Sequence, residues 1–168
     1  MRIFVLILLF TPFLCFSQKK VVDSASINEM VRKVDKLSYA NNRSFTKDKI
    51  INHKKIKENW QIFDNKKMMR IIISYTINSA KYSVTYSEKY YFKDSLLIYA
   101  YESEIFFSPG EGIDEGTVWS GDFYFSKGKL IDHVTLGHGR SELDDWDSEK
   151  EILQKLKRRR GDQVTGNR

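Results

Sequence analysis

The residues with the most chemistry to offer stand close together late in the chain: Asp132, His133, His138, Arg140, Glu142, Asp144 and Asp145. Imidazoles beside carboxylates are the raw material of a zinc centre or of a general base. Their spacing supports neither. Asp132 and His133 are neighbours in a predicted strand, so their side chains leave opposite faces. His133 and His138 are five apart and diverge in the same way if the strand runs that far. No third ligand stands at a standard spacing, and no nucleophile or oxyanion motif accompanies the pair. A second acidic group, Glu111, Asp114 and Glu115, lies in the glycine-rich stretch Ser108 to Gly116. Its oxygens suit a hard cation, but it lacks the alternating ligands and late glutamate of a calcium loop. The sequence therefore assigns no catalytic residue, no metal and no cofactor. A metal-dependent hydrolase using His133 and His138 stands as an alternative.

Binding chemistry has better material. Lys54, Lys55 and Lys57 form one basic group, and Arg158, Arg159 and Arg160 a second, late in the chain. Together they are a candidate patch for an anionic ligand, set against the plainer expectation of solvated charge. Tyr99, Tyr101, Phe107, Trp119 and Tyr124 are candidate binding aromatics on a sheet, the alternative being that helices cover them. An envelope protein or a cell-surface component is the expected partner. A small-ligand carrier is a further alternative, and it would require an apolar cavity between sheet and helices.

These side chains must be positioned by the stretch Met68 to Gly137. From Met69 to Ile77 the odd positions are apolar and most even ones polar, the period-two pattern of a half-buried strand. Asn78-Ser79-Ala80-Lys81 supplies a turn, and Tyr82 to Phe92 resumes the alternation. Leu96 to Phe107 is apolar on both faces, which suits a central strand covered on both sides. After the Ser108–Gly116 loop come Thr117 to Ser126 and Lys129 to Gly137, joined across Lys127-Gly128. A weak internal repeat links Tyr91-Phe92-Lys93-Asp94-Ser95-Leu96-Leu97-Ile98 with Tyr124-Phe125-Ser126-Lys127-Gly128-Lys129-Leu130-Ile131, and more faintly with Ile62 to Met69. Each copy has an aromatic strand end, a polar turn and an apolar restart, as a tight hairpin requires.

At these residues, from about Lys57 to Ile131, the chain resembles a group of small exported, uncharacterised proteins of the Bacteroidota, whose hairpins read Tyr-Tyr-Phe-x-Asn/Asp-Gly-Lys-Leu-Ile. The motifs that carry the likeness are structural. The resemblance implies an exported protein and transfers no catalytic residue. The chain departs from the pattern at Ser95, where a glycine would be usual. It is similar, more faintly, to the Tyr-Tyr-x-x-Gly-x-Leu unit of MORN-type repeats, whose copies would be more numerous and closer together.

Residues 1–17 read as a signal peptide: Arg2, an apolar run interrupted by Thr11-Pro12, and Ser17-Gln18 at a small-residue cleavage site. Cys15 is the only cysteine, and export leaves a chain without one. Lipid anchoring at Cys15 is the alternative, although Phe13 and Leu14 are larger than that modification favours. The expected location is periplasmic or extracellular, with no transmembrane helix in the mature form. Loss of Arg2 lowers the formal charge of +6 by one. This mild basicity does not call for nucleic acid, and export argues against that partner.

Ser24 to Ala40 reads as a helix, with Ser26 and Glu29 as a capping box and Ile27, Met30, Val31, Val34 and Leu37 as its apolar stripe. Asn42 to Asn59 suits either a short helix or an edge strand. Asp144 to Arg160 reads as a closing helix, acidic at its start and basic at its end. The expectation is a single α+β domain over residues 18–160: an antiparallel meander of five to six strands flanked by an N-terminal and a C-terminal helix. Residues 161–168 read as a disordered tail. The function expected is that of a non-enzymatic binding or interaction module.

Overall fold

In the computed structural model, residues 22–51, 53–108 and 113–165 are described. Residues 1–21, which include Cys15 and the expected signal peptide, the loop residues 109–112 that include Glu111, and residues 166–168 lie outside them. Seven antiparallel strands follow one another in chain order: β1 (Arg43–Ile51), β2 (Lys54–Asp64), β3 (Met68–Asn78), β4 (Ser83–Lys93), β5 (Leu96–Ser108), β6 (Ile113–Ser126) and β7 (Lys129–Gly137). Helix α1 (Ser24–Ser38) precedes the sheet and helix α2 (Ser148–Thr165) follows it. The α+β meander matches the sequence pattern, but five to six strands is too few. The additional strand is β1, drawn from the stretch Asn42 to Asn59, where lysines among the isoleucines blur the alternation.

Period-two patterning gives each face of the sheet its own helix. Trp60, Ile71, Ile73, Tyr90, Phe92, Ala100, Phe123 and Phe125 pack with Ile152 and Leu156 of α2. The intervening positions Phe63, Tyr91, Tyr99 and Tyr124 pack with Ile27 and Val34 of α1 on the other face. Leu97 to Ala100 of β5 are all buried, as a centrally placed strand covered on both sides requires.

The helix ends differ from the sequence expectation. Asp23, not Ser26, caps α1: its carboxylate accepts from the Ser26 amide at 2.8 Å, and the Ser26 hydroxyl faces back to the Asp23 amide. Helix α2 begins at Ser148, where Asp147 accepts from the Lys150 amide at 2.9 Å, and it runs on through Gly161 to Thr165.

The three repeat copies are the β2–β3, β4–β5 and β6–β7 turns, all at one end of the sheet because a meander returns there at every second turn. Asp94 (φ 49°) with Ser95 (φ 66°), and Lys127 (φ 53°) with Gly128 (φ 80°), hold the left-handed backbone that tight hairpins use. The Asp94 amide also donates to the Lys67 carbonyl at 2.8 Å, linking neighbouring turns. Gly137 closes β7 at φ 84°, where a Cβ would stand 2.1 Å from the Val118 carbonyl oxygen.

Candidate functional site

At the opposite end the sheet comes apart. β2 pairs with β3 only from Asp64↔Met69 to Asn59↔Ser74. Beyond that point Lys54 to Glu58 stay with β1, and Tyr75 to Asn78 stay with β4. The result is a fork with two inner strand edges outside any ladder register. The Lys54 ammonium spans its mouth, donating to the Asn78 carbonyl at 3.2 Å.

A buried charge stands at the parting. Glu58 occupies the same face as Ile56 and Trp60, a core-facing position, yet it carries a charge. It is 2% exposed. Burial without partners would cost several kcal/mol; Arg159 of α2 donates to Glu58 at 2.6 Å, and Lys49 of β1 pairs with it at 3.3 Å. The same guanidinium donates to both carboxylate oxygens of Glu88, at 2.9 and 2.6 Å. Lys155 donates to both oxygens of Glu102, at 2.9 and 2.7 Å.

Glu88 and Glu102 are direct cross-strand partners, a destabilising arrangement for like charges unless cations stand above them. Residues four apart on a helix rise ~6 Å, and strands lie ~4.8 Å apart. Lys155 and Arg159 therefore sit over successive glutamates of adjacent strands. Trp60 Nε1 donates to the remaining oxygen of Glu58, and the Tyr90 hydroxyl donates to a Glu88 oxygen that it shares with Arg159, both at 3.1 Å. Burial alone would raise the Glu88 carboxyl, but the bonds and charge of Arg159 override it and hold it below its ordinary value. Burial opposes the charge of Arg159, and Glu88 and Glu58 reverse that effect, keeping it cationic.

Beyond this ionic row the α2 face of β3 and β4 is only partly covered. Tyr75 and Tyr86 stack there with ring centroids 5.0 Å apart, both half-buried. Burial, then the Glu88 charge, push the Tyr75 hydroxyl well above the usual phenol range, so it remains a donor. Two adjoining clefts share Tyr75, Glu88 and Lys155. One, of about 220 Å³, includes Tyr86, Glu102 and Glu104. The other, of about 270 Å³, is walled by Lys49, Ile51, Arg158 and Arg159. A third, of about 370 Å³, lies in the fork itself, between Lys54–Lys57 with Asn59 on β2 and Thr76–Asn78 on β3. The arrangement offers an aromatic floor, charged walls and main-chain groups outside the β2–β3 ladder, which are means of binding.

The residues singled out in the sequence disperse over the molecule. Tyr99 and Tyr124 are buried beneath α1 with ring centroids 5.4 Å apart, and half-buried Tyr101 packs beside them. The Tyr99 hydroxyl donates to Asp122, and Asn28 donates to the Tyr124 hydroxyl at 3.3 Å. Phe107 is exposed near the end of β5. Trp119 is buried on the opposite face against Trp146, its Nε1 donating to Ser141 at 3.2 Å. Lys54, Lys55 and Lys57 line the fork, and Arg158 lines the neighbouring cleft. Arg159 is consumed by Glu58 and Glu88, while Arg160 lies 4.7 Å over the Phe92 ring.

His133 stacks on Phe123 and meets Trp146 edge-on at 5.9 Å. His138 pairs with Glu142 at 2.6 Å on the surface. Neither lines the clefts described above, and among the described residues no three His, Cys, Asp or Glu stand together to hold a metal ion. Sequence reasoning missed Glu58, Glu88, Glu102, Tyr75 and Tyr86. The signal for the glutamates was present: each falls on the core-facing phase of its strand, with Trp60, Tyr90 and Ala100 respectively two residues away.

No family model matches the chain, and neither does any curated protein or solved structure with which it was compared. No helix among the described residues is long and apolar enough to cross a membrane.

Proposed function

We propose that the chain is an exported, non-enzymatic binding module that receives its partner at the forked end of the sheet. One observation carries this: β2 leaves β3 beyond Asn59 and Ser74, and the opening exposes two strand edges beside the Tyr75–Tyr86 pair. Buried backbone groups are almost always satisfied, and well-packed antiparallel sheets zip to their ends. Where β2 and β3 part, their facing main-chain groups stand outside the β2–β3 ladder, where another molecule can pair with them. Export rests on the residues of the first segment and on the resemblance to exported proteins of the Bacteroidota. An envelope protein is the partner most in keeping with both.

The test is capture from envelope extract, at low and high salt, by the chain from Gln18 onward and by its Tyr75→Ser/Tyr86→Ser variant. Both tyrosines are partly exposed, so the variant should fold. The expected outcome is a partner retained in high salt by the parent chain and lost by the variant. Equal capture by both chains would remove the forked end as the binding site.

A further inference from the structure

The fork has a chemistry specific enough to name its occupant, an inference that rests on the binding role proposed above. We propose that it accepts a short, extended, acidic segment of a partner protein, which adds as a strand along the edge of β3 from Tyr75 to Asn78 and displaces the Lys54 ammonium from the Asn78 carbonyl. Three features of the opening converge on this.

The first is the pair of unequal edges. The β3 edge reads Tyr75-Thr76-Ile77-Asn78, aromatic and β-branched residues that favour strand pairing and carry no charge. The facing β2 edge carries Lys54, Lys55 and Lys57, which discourage pairing with that strand directly. An incoming strand is thus directed to β3, with β2 as a charged wall.

The second is charge. Lys49, Lys54, Lys55, Lys57, Arg158 and Arg159 surround the opening, against the carboxylates Asp48, Glu58 and Glu88. Arg159 is committed to Glu58 and Glu88, Lys49 pairs with Glu58 at 3.3 Å, and Lys55 bonds Asp48 at 2.8 Å. A positive excess remains, which an acidic ligand would complement. The third is the floor. Side chains of a strand alternate between faces, so every second residue of the added segment would enter the cleft beside Tyr75, while the others meet the β2 lysines. Strand addition draws affinity from main-chain hydrogen bonds and specificity from such alternate pockets.

The experiment uses the chain from Gln18 onward and a synthetic peptide of roughly eight residues alternating Glu and Val, a typical strand length. Three controls accompany it: the same peptide N-methylated at alternate backbone amides, its Lys-Val counterpart, and polyglutamate of equal charge. The Glu-Val peptide should bind and protect from hydrogen exchange the fork-facing amides among Tyr75 to Asn78, those that do not already bond β4. Loss of two main-chain bonds, each worth about 1 kcal/mol, should weaken the N-methylated peptide by about tenfold or more. The Lys54→Glu/Lys57→Glu variant should lose the Glu-Val peptide by a similar factor.

Equal binding of the N-methylated peptide or of polyglutamate would overturn strand addition and leave charge attraction alone. Absence of binding by all peptides, or equal binding of the Lys-Val peptide, would overturn the acidic occupant. Protection of the same amides by self-association, seen as dimer in sedimentation, would name a second copy of the chain instead. Any of these, with Tyr75/Tyr86-dependent capture from extract intact, defeats the strand proposal and spares the binding role. Loss of that dependence defeats the binding role itself.

Discussion

The two ends of this sheet are built from the same strands and solve opposite problems. At the tight-turn end, three short hairpins align, both faces are covered by helices, and Phe92, Phe123 and Phe125 are essentially inaccessible. At the forked end, β2 departs from β3, the β5–β6 register shifts between Glu104 and Ile105 and again between Phe106 and Ser108, and Tyr75 and Tyr86 stay half-buried on the α2 face of β3 and β4. Apolar burial closes one end. Charge on core-facing positions marks where β2 and β3 part at the other. The boundary between them is the row Glu58, Glu88 and Glu102 with its cations Lys155 and Arg159. Hydrophobic burial gains from every closed gap, whereas buried charge is tolerated only where its partner can be reached. An ionic row therefore fixes where packing stops.

The sharpest way to break this contrast is to remove the cation that serves two strands. Arg159→Met leaves Glu88 buried without the cation that bonds it and Glu58 with Lys49 at 3.3 Å in place of a 2.6 Å pair. The loss of a partner from a buried ion pair costs about 3–5 kcal/mol, and denaturant unfolding should register a decrease of that size. Adding Glu58→Gln and Glu88→Gln to the same chain should recover part of it, because the uncompensated charges are then gone. A decrease below about 1 kcal/mol for Arg159→Met would mean that the row does not hold the two ends apart, since that is the scale of exposed pairs.

A milder challenge is acid. Burial would raise the Glu88 carboxyl, but Arg159 holds it below its ordinary value of 4.5. A carboxylate depressed in the folded state stabilises the fold at every pH above its unfolded value. That contribution disappears as pH falls through the lower, folded value. Stability should thus be flat with respect to Glu88 above about pH 5 and decline below its ordinary value. In Glu88→Gln this part of the decline should be absent. A Glu88→Gln chain with the parent's full acid dependence would show that other carboxylates control it.

Much of the closed end was legible in the sequence, for a physical reason. Period-two alternation and turn chemistry are local signals, and Met69–Ile77, Tyr82–Phe92 and the Lys127-Gly128 turn all carry them. The stretch that became β1 was harder. Lys47, Lys49 and Asp48 obscure its alternation because an edge strand can afford charge on both faces. The candidate site was the least legible part. Arg159 looked like one of three solvent-seeking arginines, since sequence does not reveal that residues 58, 88 and 159 meet. Glu58 beside Trp60 and Glu88 beside Tyr90 were departures from a core-facing phase, and departures of that kind are where function or special pairing concentrates. Tyr99 and Tyr124 failed to signal their fate because an aromatic on a sheet has the same pattern whether a helix or water lies above it.

The smallest expected effect sharpens the comparison at the closed end. Ser95 holds φ 66° in the β4–β5 turn, while the equivalent position of the β6–β7 turn is Gly128 at φ 80°. A side chain in left-handed backbone costs ~1–2 kcal/mol, and glycine gives back part of any gain through the greater freedom of the unfolded chain. Ser95→Gly should therefore raise stability by about 0.5 kcal/mol, and Gly128→Ser should lower it by a similar amount. Both turns lie at the opposite end from the fork, so peptide binding by either variant should equal that of the parent chain. Stability that moves without binding would show that the two ends are separable. If Ser95→Gly instead alters binding, the turns and the fork are coupled through the strands, and the ionic row is a hinge between them and not a boundary.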